Sequence, residues 1–145
     1  MNHRKILFPT DFSHTGDAAL EMATSLARDQ GAKLLIAHVE EPPAVYSAGE
    51  MYYGMPNPMT EDLKAMLQQV KPTDESVPFE HHLVAGDPAD AIVRLAEEEQ
   101  VEMIVLGSHG RTGLSRLLMG SVTESIVRHA KCPVLTVKQP AKSHD

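Results

Sequence analysis

The sequence predicts an α/β fold: an open, five-stranded parallel sheet with helices on both faces. Short apolar runs of strand length alternate along the chain with segments whose apolar residues recur at helical spacing, the pattern of strands joined by crossover helices. One run, Leu34-Leu35-Ile36-Ala37-His38-Val39, is apolar almost without alternation, as expected of a strand covered on both sides. The chain has 145 residues, 42% hydrophobic and 23% charged, enough for one domain over residues 1–145 with a proper core. There is no internal repeat and no low-complexity block.

Taken in order, Lys5-Ile6-Leu7-Phe8 makes strand one and runs into Pro9. Thr10 to Ser13 form a loop, with Ser13 as N-cap of a helix whose stripe is Ala19, Met22, Ala23, Leu26 and Ala27. Gly31 is its stop. Strand two is the apolar run above. Residues 40–58 form a long flexible connection in which Pro42, Pro43, Pro56, Pro58, Gly49 and Gly54 prevent a regular element. Tyr46, Tyr52, Tyr53, Met51 and Met55 lie there, as a lid or partner surface, or as a crossover covering the second helix. That helix opens near Thr60, turns Leu63, Met66, Leu67 and Val70 inward, and ends before Pro72. Residues 79–84 make strand three, polar enough through Glu80, His81 and His82 for a sheet edge. Asp87-Pro88-Ala89-Asp90 opens a helix with a carboxylate N-cap and proline at its first position, striped by Ile92, Leu95 and Ala96. Met103-Ile104-Val105-Leu106 is strand four. Ser121 and Glu124 have the spacing of a capping box, and Val122, Ile126 and Val127 form the apolar face that follows. Residues 132–137 hold strand five, and residues 139–145 read as a frayed tail.

Composition narrows the function classes. A net charge of −7 opposes general nucleic-acid binding, which calls for a basic face. No apolar run approaches a membrane span and the first residues lack the core of a secretion signal, so the expectation is a cytoplasmic protein with no membrane partner. The single cysteine, Cys132, precedes an apolar strand and reads as a structural thiol.

The chemistry gathers between strand four and the last helix, in Gly107-Ser-His-Gly110-Arg-Thr-Gly113-Leu-Ser-Arg-Leu-Leu-Met-Gly120-Ser121. Glycines let backbone amides approach a ligand, and a helix start offers unpaired N–H groups at the positive end of its dipole, so this arrangement favours a phosphate. Gly107 lets a ribose or phosphate come close, Gly110 supplies a turn, and Gly120 clears space. Ser121, Val122 and Thr123 offer amides, with hydroxyls on the first and third. A single capping contact gives about 1 kcal/mol and the dipole about 0.3–1, so grip requires several together. Arg111, next to Gly110, is the favoured cation, with Arg116 on the surface. His109 lies inside the loop, either touching the ligand or simply exposed.

Gly107-x2-Gly110-x9-Gly120-Ser121 matches the nucleotide-binding signature of the universal stress protein family, and the chain resembles that family also at Pro9-Thr10-Asp11-Phe12-Ser13 and at Cys132-Pro-Val-Leu-Thr-Val137. The likeness spans nearly the whole chain and is weakest over residues 40–78. It implies a Rossmann-like sheet (adenine nucleotide alpha hydrolase-like) in the order 3-2-1-4-5. Strands one and four would flank the reversal point, where open sheets bind ligands. It assigns Pro9, Thr10, Asp11 and Val39 to the base and ribose end, Val39 through its backbone. Asp11 could instead help hold a magnesium or manganese ion. It implies an adenine nucleotide, ATP, and a homodimer through the strand-five edge at Val134, Leu135 and Val137.

Rivals lack their residues. There is no GxxxxGK[ST] and no GxGxxG. His81 and His82 are adjacent on a strand and point to opposite faces, poor geometry for one ion. His38 reads as a packed, hydrogen-bonded residue, and Ser108 and Ser115 have no nucleophile context. The functional expectation is a stress-response or signalling protein that acts by holding ATP. The alternatives are a slow ATPase or phosphotransferase using the same pocket, and an interaction module that takes AMP or cyclic AMP.

Overall fold

The computed structural model describes residues 4–41, 58–108 and 120–139. Within them, β1 (Lys5–Pro9), β2 (Lys33–Glu40), β3 (Phe79–Ala85), β4 (Met103–Gly107) and β5 (Val134–Val137) pair in parallel, in the order β3-β2-β1-β4-β5. The expected α/β class and strand order both hold. The crossovers carry α1 (Asp17–Gln30), α2 (Pro58–Gln68), α3 (Pro88–Glu99) and α4 (Ser121–His129).

The near-continuous apolarity of the central strands follows from two cores, one on each face. Ile6, Phe8, Leu34, Ile36 and Val105 pack against Ala19, Ala23 and Ala27 of α1 and Leu67 of α2. Leu7, Leu35, Ala37, Ile104 and Leu106 pack against Ala89, Ile92, Leu95 and Ala96 of α3 and Ile126 of α4. Each fully buried Leu or Ile side chain contributes about 1.5–3 kcal/mol relative to exposure. β3 contributes no fully buried residue, as its polar sequence anticipates for an edge.

Helix ends follow their local chemistry. Gly31 closes α1 at φ 65, donating its N–H to Ala27 and Arg28 carbonyls. Asp87 caps α3, accepting the Asp90 N–H at 3.0 Å, with Pro88 in first position. Gln100 closes the same helix at φ 53 with no glycine to announce it.

Several expectations need correction. Ser13 stands at the N-cap position of a 3-10 turn (His14–Gly16) rather than of α1, whose N-cap is Gly16, and its hydroxyl goes to Asp11 instead of capping. The capping box does not form. Gly120 is the N-cap of α4, which places Ser121 already inside the helix, and Glu124 pairs with Arg128 at 2.7 Å. The apolar stripes are narrower than predicted. Met22, Met66, Val122 and Val127 are each more than two-fifths exposed. They stand on the flanks of the line that meets the sheet, such as Val122 and Val127 on either side of buried Ile126. Both ends of the expected 40–58 connection belong to regular elements, Glu40 to β2 and Pro58 to α2; residues 42–57, with the tyrosines, lie outside the described residues, as do residues 140–145. Gln139 is held, its Oε1 accepting the Ala18 N–H at 2.8 Å.

Candidate functional site

The sheet opens where β1 and β4 part. β1 pairs with β2 along its whole length, to Pro9↔Ala37, and β4 pairs with β5 to its last residue, Gly107↔Val137. Between β1 and β4 the register holds only Ile6↔Met103 and Leu7↔Ile104. Pro9 supplies a reason. Lys5 accepts the Glu102 N–H from the β4 side, and Thr10 donates to Ala37 on the β2 side. Backbone groups of successive strand residues face opposite neighbours, so Pro9 faces β4, where it has no N–H to give. A central strand thus ends on a missing donor, and the pairing of β1 with β4 stops short of it.

On the β1 side, residues 10–13 form a tight turn. Asp11 Oδ1 accepts the Ser13 N–H at 2.9 Å and the Ser13 hydroxyl at 2.5 Å, and the Phe12 N–H donates to Thr10 Oγ1 at 3.0 Å. Phe12 sits at φ 68, a conformation rarely adopted by a bulky residue. Its ring lies 4.3 Å from that of His38, which is buried and whose Nδ1 donates to the Thr10 carbonyl at 2.7 Å. The expectation of a packed, hydrogen-bonded His38 is met. Its role in holding this turn was not legible from the residues alone.

On the β4 side, Ser108 donates its N–H to Val137 at 3.1 Å, and its carbonyl accepts the Gly120 N–H at 2.8 Å. The chain therefore returns from the glycine segment to the point where it left. Thr123, buried in the first turn of α4, donates its hydroxyl to the Gly107 carbonyl at 2.9 Å. That hydroxyl proton ties the helix to the strand end and is not available to a ligand. The amides of Ser121, Val122 and Thr123 are the first-turn donors that an α-helix leaves without internal acceptors, at its positive end.

Pro9, Thr10, Asp11, Val39, Gly107, Gly120, Ser121, Val122 and Thr123 therefore gather at the carboxyl ends of β1, β2 and β4. His109, Gly110 and Arg111 lie outside the described residues, as do Gly113, Ser115 and Arg116. Val39 is half-buried, and its peptide faces the β1 side, because Glu40 beyond it accepts the Gly86 N–H on the β3 side.

Other candidates resolve into structure. His81 and His82 do point to opposite faces: His81 Nε2 meets the Val70 carbonyl at 2.7 Å, and His82 Nε2 meets Glu80 at 3.2 Å. Glu80, His82 and Glu99 bring ligand atoms within 4.8 Å of one another. Each carboxylate already has an ammonium at 3.0 Å, Lys33 on Glu80 and Lys5 on Glu99, which makes this cluster an ion-pair network. Lys33, with His82, holds the Glu80 carboxyl below its ordinary range. Burial pushes the half-buried Cys132 thiol up, against a reactive thiolate. Among the described residues no helix is long and apolar enough to cross a membrane.

Comparison with known proteins gives a consistent picture. The model of the universal stress protein family matches residues 2–138. Universal stress protein MJ0577 of Methanocaldococcus jannaschii is 32% identical over 155 residues, which cover 94% of this chain and 96% of the relative. The putative universal stress protein SH1215 of Staphylococcus haemolyticus is 32% identical over 143 residues, covering 95% and 86%. A solved structure of MJ0577 superposes with a TM-score of 0.83 at 33% identity, covering 98% of this chain and 100% of that one. A universal stress protein crystallised in complex with cAMP superposes with a TM-score of 0.69 at 26% identity, covering 95% and 98%.

Proposed function

Since the chain belongs to the universal stress protein family, we propose that it binds ATP with magnesium in the crevice between β1 and β4, and acts as a nucleotide-dependent stress-response or signalling protein. The observation that carries this reading is the early parting of β1 and β4 beside the first turn of α4. It sets the backbone donors at the start of α4 on one side and the Asp11 turn on the other. The amides of Ser121, Val122 and Thr123 take the phosphates, helped by the space at Gly107 and Gly120. His109, Gly110 and Arg111 complete that side from the glycine segment. Pro9, Thr10, Asp11 and the Val39 backbone take the ribose and base.

Magnesium is carried mainly by phosphates, with one or two protein carboxylates. Asp11 fits as such a hard oxygen ligand at the crevice, with one oxygen fixed by Ser13. Manganese would satisfy the same donors. The cation screens the triphosphate charge, which matters in a chain of net charge −7.

The cAMP-bound neighbour supports a second reading, an AMP- or cyclic-AMP-binding module using the same crevice. Calorimetric titration with MgATP tests the first. We expect saturable heat and a raised melting temperature, and neither at millimolar nucleotide would defeat the proposal. Competition by AMP and cAMP ranks the nucleotides, and phosphate release from the pure protein tests the slow-ATPase alternative. The edge of β5, which among the described residues pairs only with β4, has Leu135 exposed and Val134 and Val137 half-buried, and is the proposed contact of a symmetric homodimer. A monomer by light scattering at high concentration would remove it.

A further inference from the structure

Thr10 is where β1 leaves the sheet, and its hydrogen bonds do not follow the ladder. Its N–H donates to the Ala37 carbonyl at 2.7 Å, as a parallel strand residue would. In a ladder continued by one more step, its carbonyl would accept the N–H of Val39. Among the described residues, that carbonyl instead takes His38 Nδ1 at 2.7 Å. A carbonyl can only accept, so Nδ1 carries the proton. The imidazole is fixed in this position, since it is only 8% exposed and packs at 4.3 Å on Phe12, whose φ of 68 folds the ring back over it. A bulky residue in that conformation is strained, and such strain persists only where neighbours enforce it.

The consequence falls on Val39. Its N–H and C=O both face the β1 side, past the residue at which β1 turns away. One strand residue offering an adjacent donor and acceptor matches a heterocycle with an acceptor nitrogen beside an amino group, as on the Watson–Crick edge of adenine. We propose that His38 is a positioning residue for base recognition: by occupying the Thr10 carbonyl it ends the β1–β2 ladder and keeps the Val39 peptide edge open to an adenine base. This rests on the nucleotide reading above and adds the device that selects the base.

Hydrogen exchange and competition binding on the full chain test it. In the free wild type, the Val39 amide exchanges quickly, and MgATP slows it. In His38→Leu the Val39 N–H reaches the Thr10 carbonyl, so exchange there is slow without ligand. MgATP affinity falls about tenfold, while affinity for inosine triphosphate, whose base presents the opposite donor–acceptor order, stays unchanged. His38→Asn, whose amide N–H reaches the same carbonyl, keeps MgATP affinity within about threefold. Should His38→Leu fail to fold, the asparagine variant and the free wild type still decide the matter. A protected Val39 amide in free wild type, a proton on Nε2 rather than Nδ1 in nitrogen-15 spectra, or an undiminished preference of His38→Leu for ATP would overturn the proposal. If wild type binds neither triphosphate, the nucleotide reading fails by itself, and the exchange experiment still judges the role of His38.

Discussion

The two ends of the sheet use polar groups in opposite ways. At the amino end, charges are met by charges: Arg4–Glu102 at 3.4 Å, Lys5–Glu99 at 3.0 Å, Lys33–Glu80 at 3.0 Å and Arg28–Asp74 at 3.1 Å. At the carboxyl end, Asp11 and Asp87 are held by hydroxyls and amides instead, and an opened strand pair meets the amino terminus of α4. Among the described residues, the amino end is therefore closed on itself, while the carboxyl end carries first-turn helix amides that have no internal acceptors. A search for function by clusters of charge leads to the amino end, away from the proposed site. Among the described residues, the one grouping with metal-ligand spacing, Glu80, His82 and Glu99, lies among the paired charges. On the proposed reading, ligand capacity in this fold comes from peptide groups rather than from charged side chains.

The largest effect that would break this contrast is expected at Gly120. Its φ of −63 and ψ of 155 are open to any residue, so Gly120→Val costs the backbone little. The added side chain would stand at the start of α4, at the proposed phosphate site. MgATP affinity should fall by on the order of 100-fold, about 2.7 kcal/mol, with the melting temperature nearly unchanged. Calorimetry and a thermal melt on one sample separate the two. Retained affinity would mean that the helix start is not the phosphate site.

Thr123→Val comes next and affects both properties. It keeps the shape of a buried side chain and removes the hydrogen bond to the Gly107 carbonyl. The loss of stability should be about 1–2 kcal/mol by denaturant titration, since the acceptor is left without its donor. Nucleotide affinity should drop about tenfold as α4 loosens from β4. At the other end, Lys5→Met should change stability by only about 0.5–1 kcal/mol, because the pair with Glu99 is partly solvated. It should leave nucleotide affinity untouched, and a linked loss of affinity would argue that the ends are coupled.

How far the sequence carried these conclusions depends on the kind of physics involved. Strand and helix alternation, the Gly31 stop and the Asp87 cap are local, and each is written in a few neighbouring residues. The convergence of Asp11 with Gly107 was legible only through resemblance, because periodicity carries no strand order. The parting of β1 from β4 was half legible. Pro9 is visible, but which neighbour it faces depends on the pairing register. The capping box failed because its spacing is identical whether Ser121 stands before the helix or within it, and only the Gly120 conformation decides. The His38–Thr10 contact joins residues 28 apart, and no local pattern announces it. Stripe edges such as Met22 and Val127 failed because helical spacing marks an apolar face but not how much of its flanks the sheet covers.

The smallest effect sharpens the contrast through pH. Asp74, before β3 at the amino end, accepts the Ser76 N–H and hydroxyl and pairs with Arg28, and in that order these hold its carboxyl down at about 2 from an ordinary 3.8. A lowered folded-state value means that the ionised form is favoured by folding. Its contribution is therefore complete above the unfolded value, and is lost as pH falls from about 4 toward 2. The difference in melting temperature between wild type and Asp74→Asn should be constant above about pH 5 and shrink through that window. The site is solvent-exposed, so the difference should also shrink with salt. Nucleotide affinity of Asp74→Asn at neutral pH should equal that of wild type. A melting difference that persisted unchanged at the acid end would show that Asp74 acts through loop shape rather than charge, and would weaken the picture of an amino end held by ion pairs.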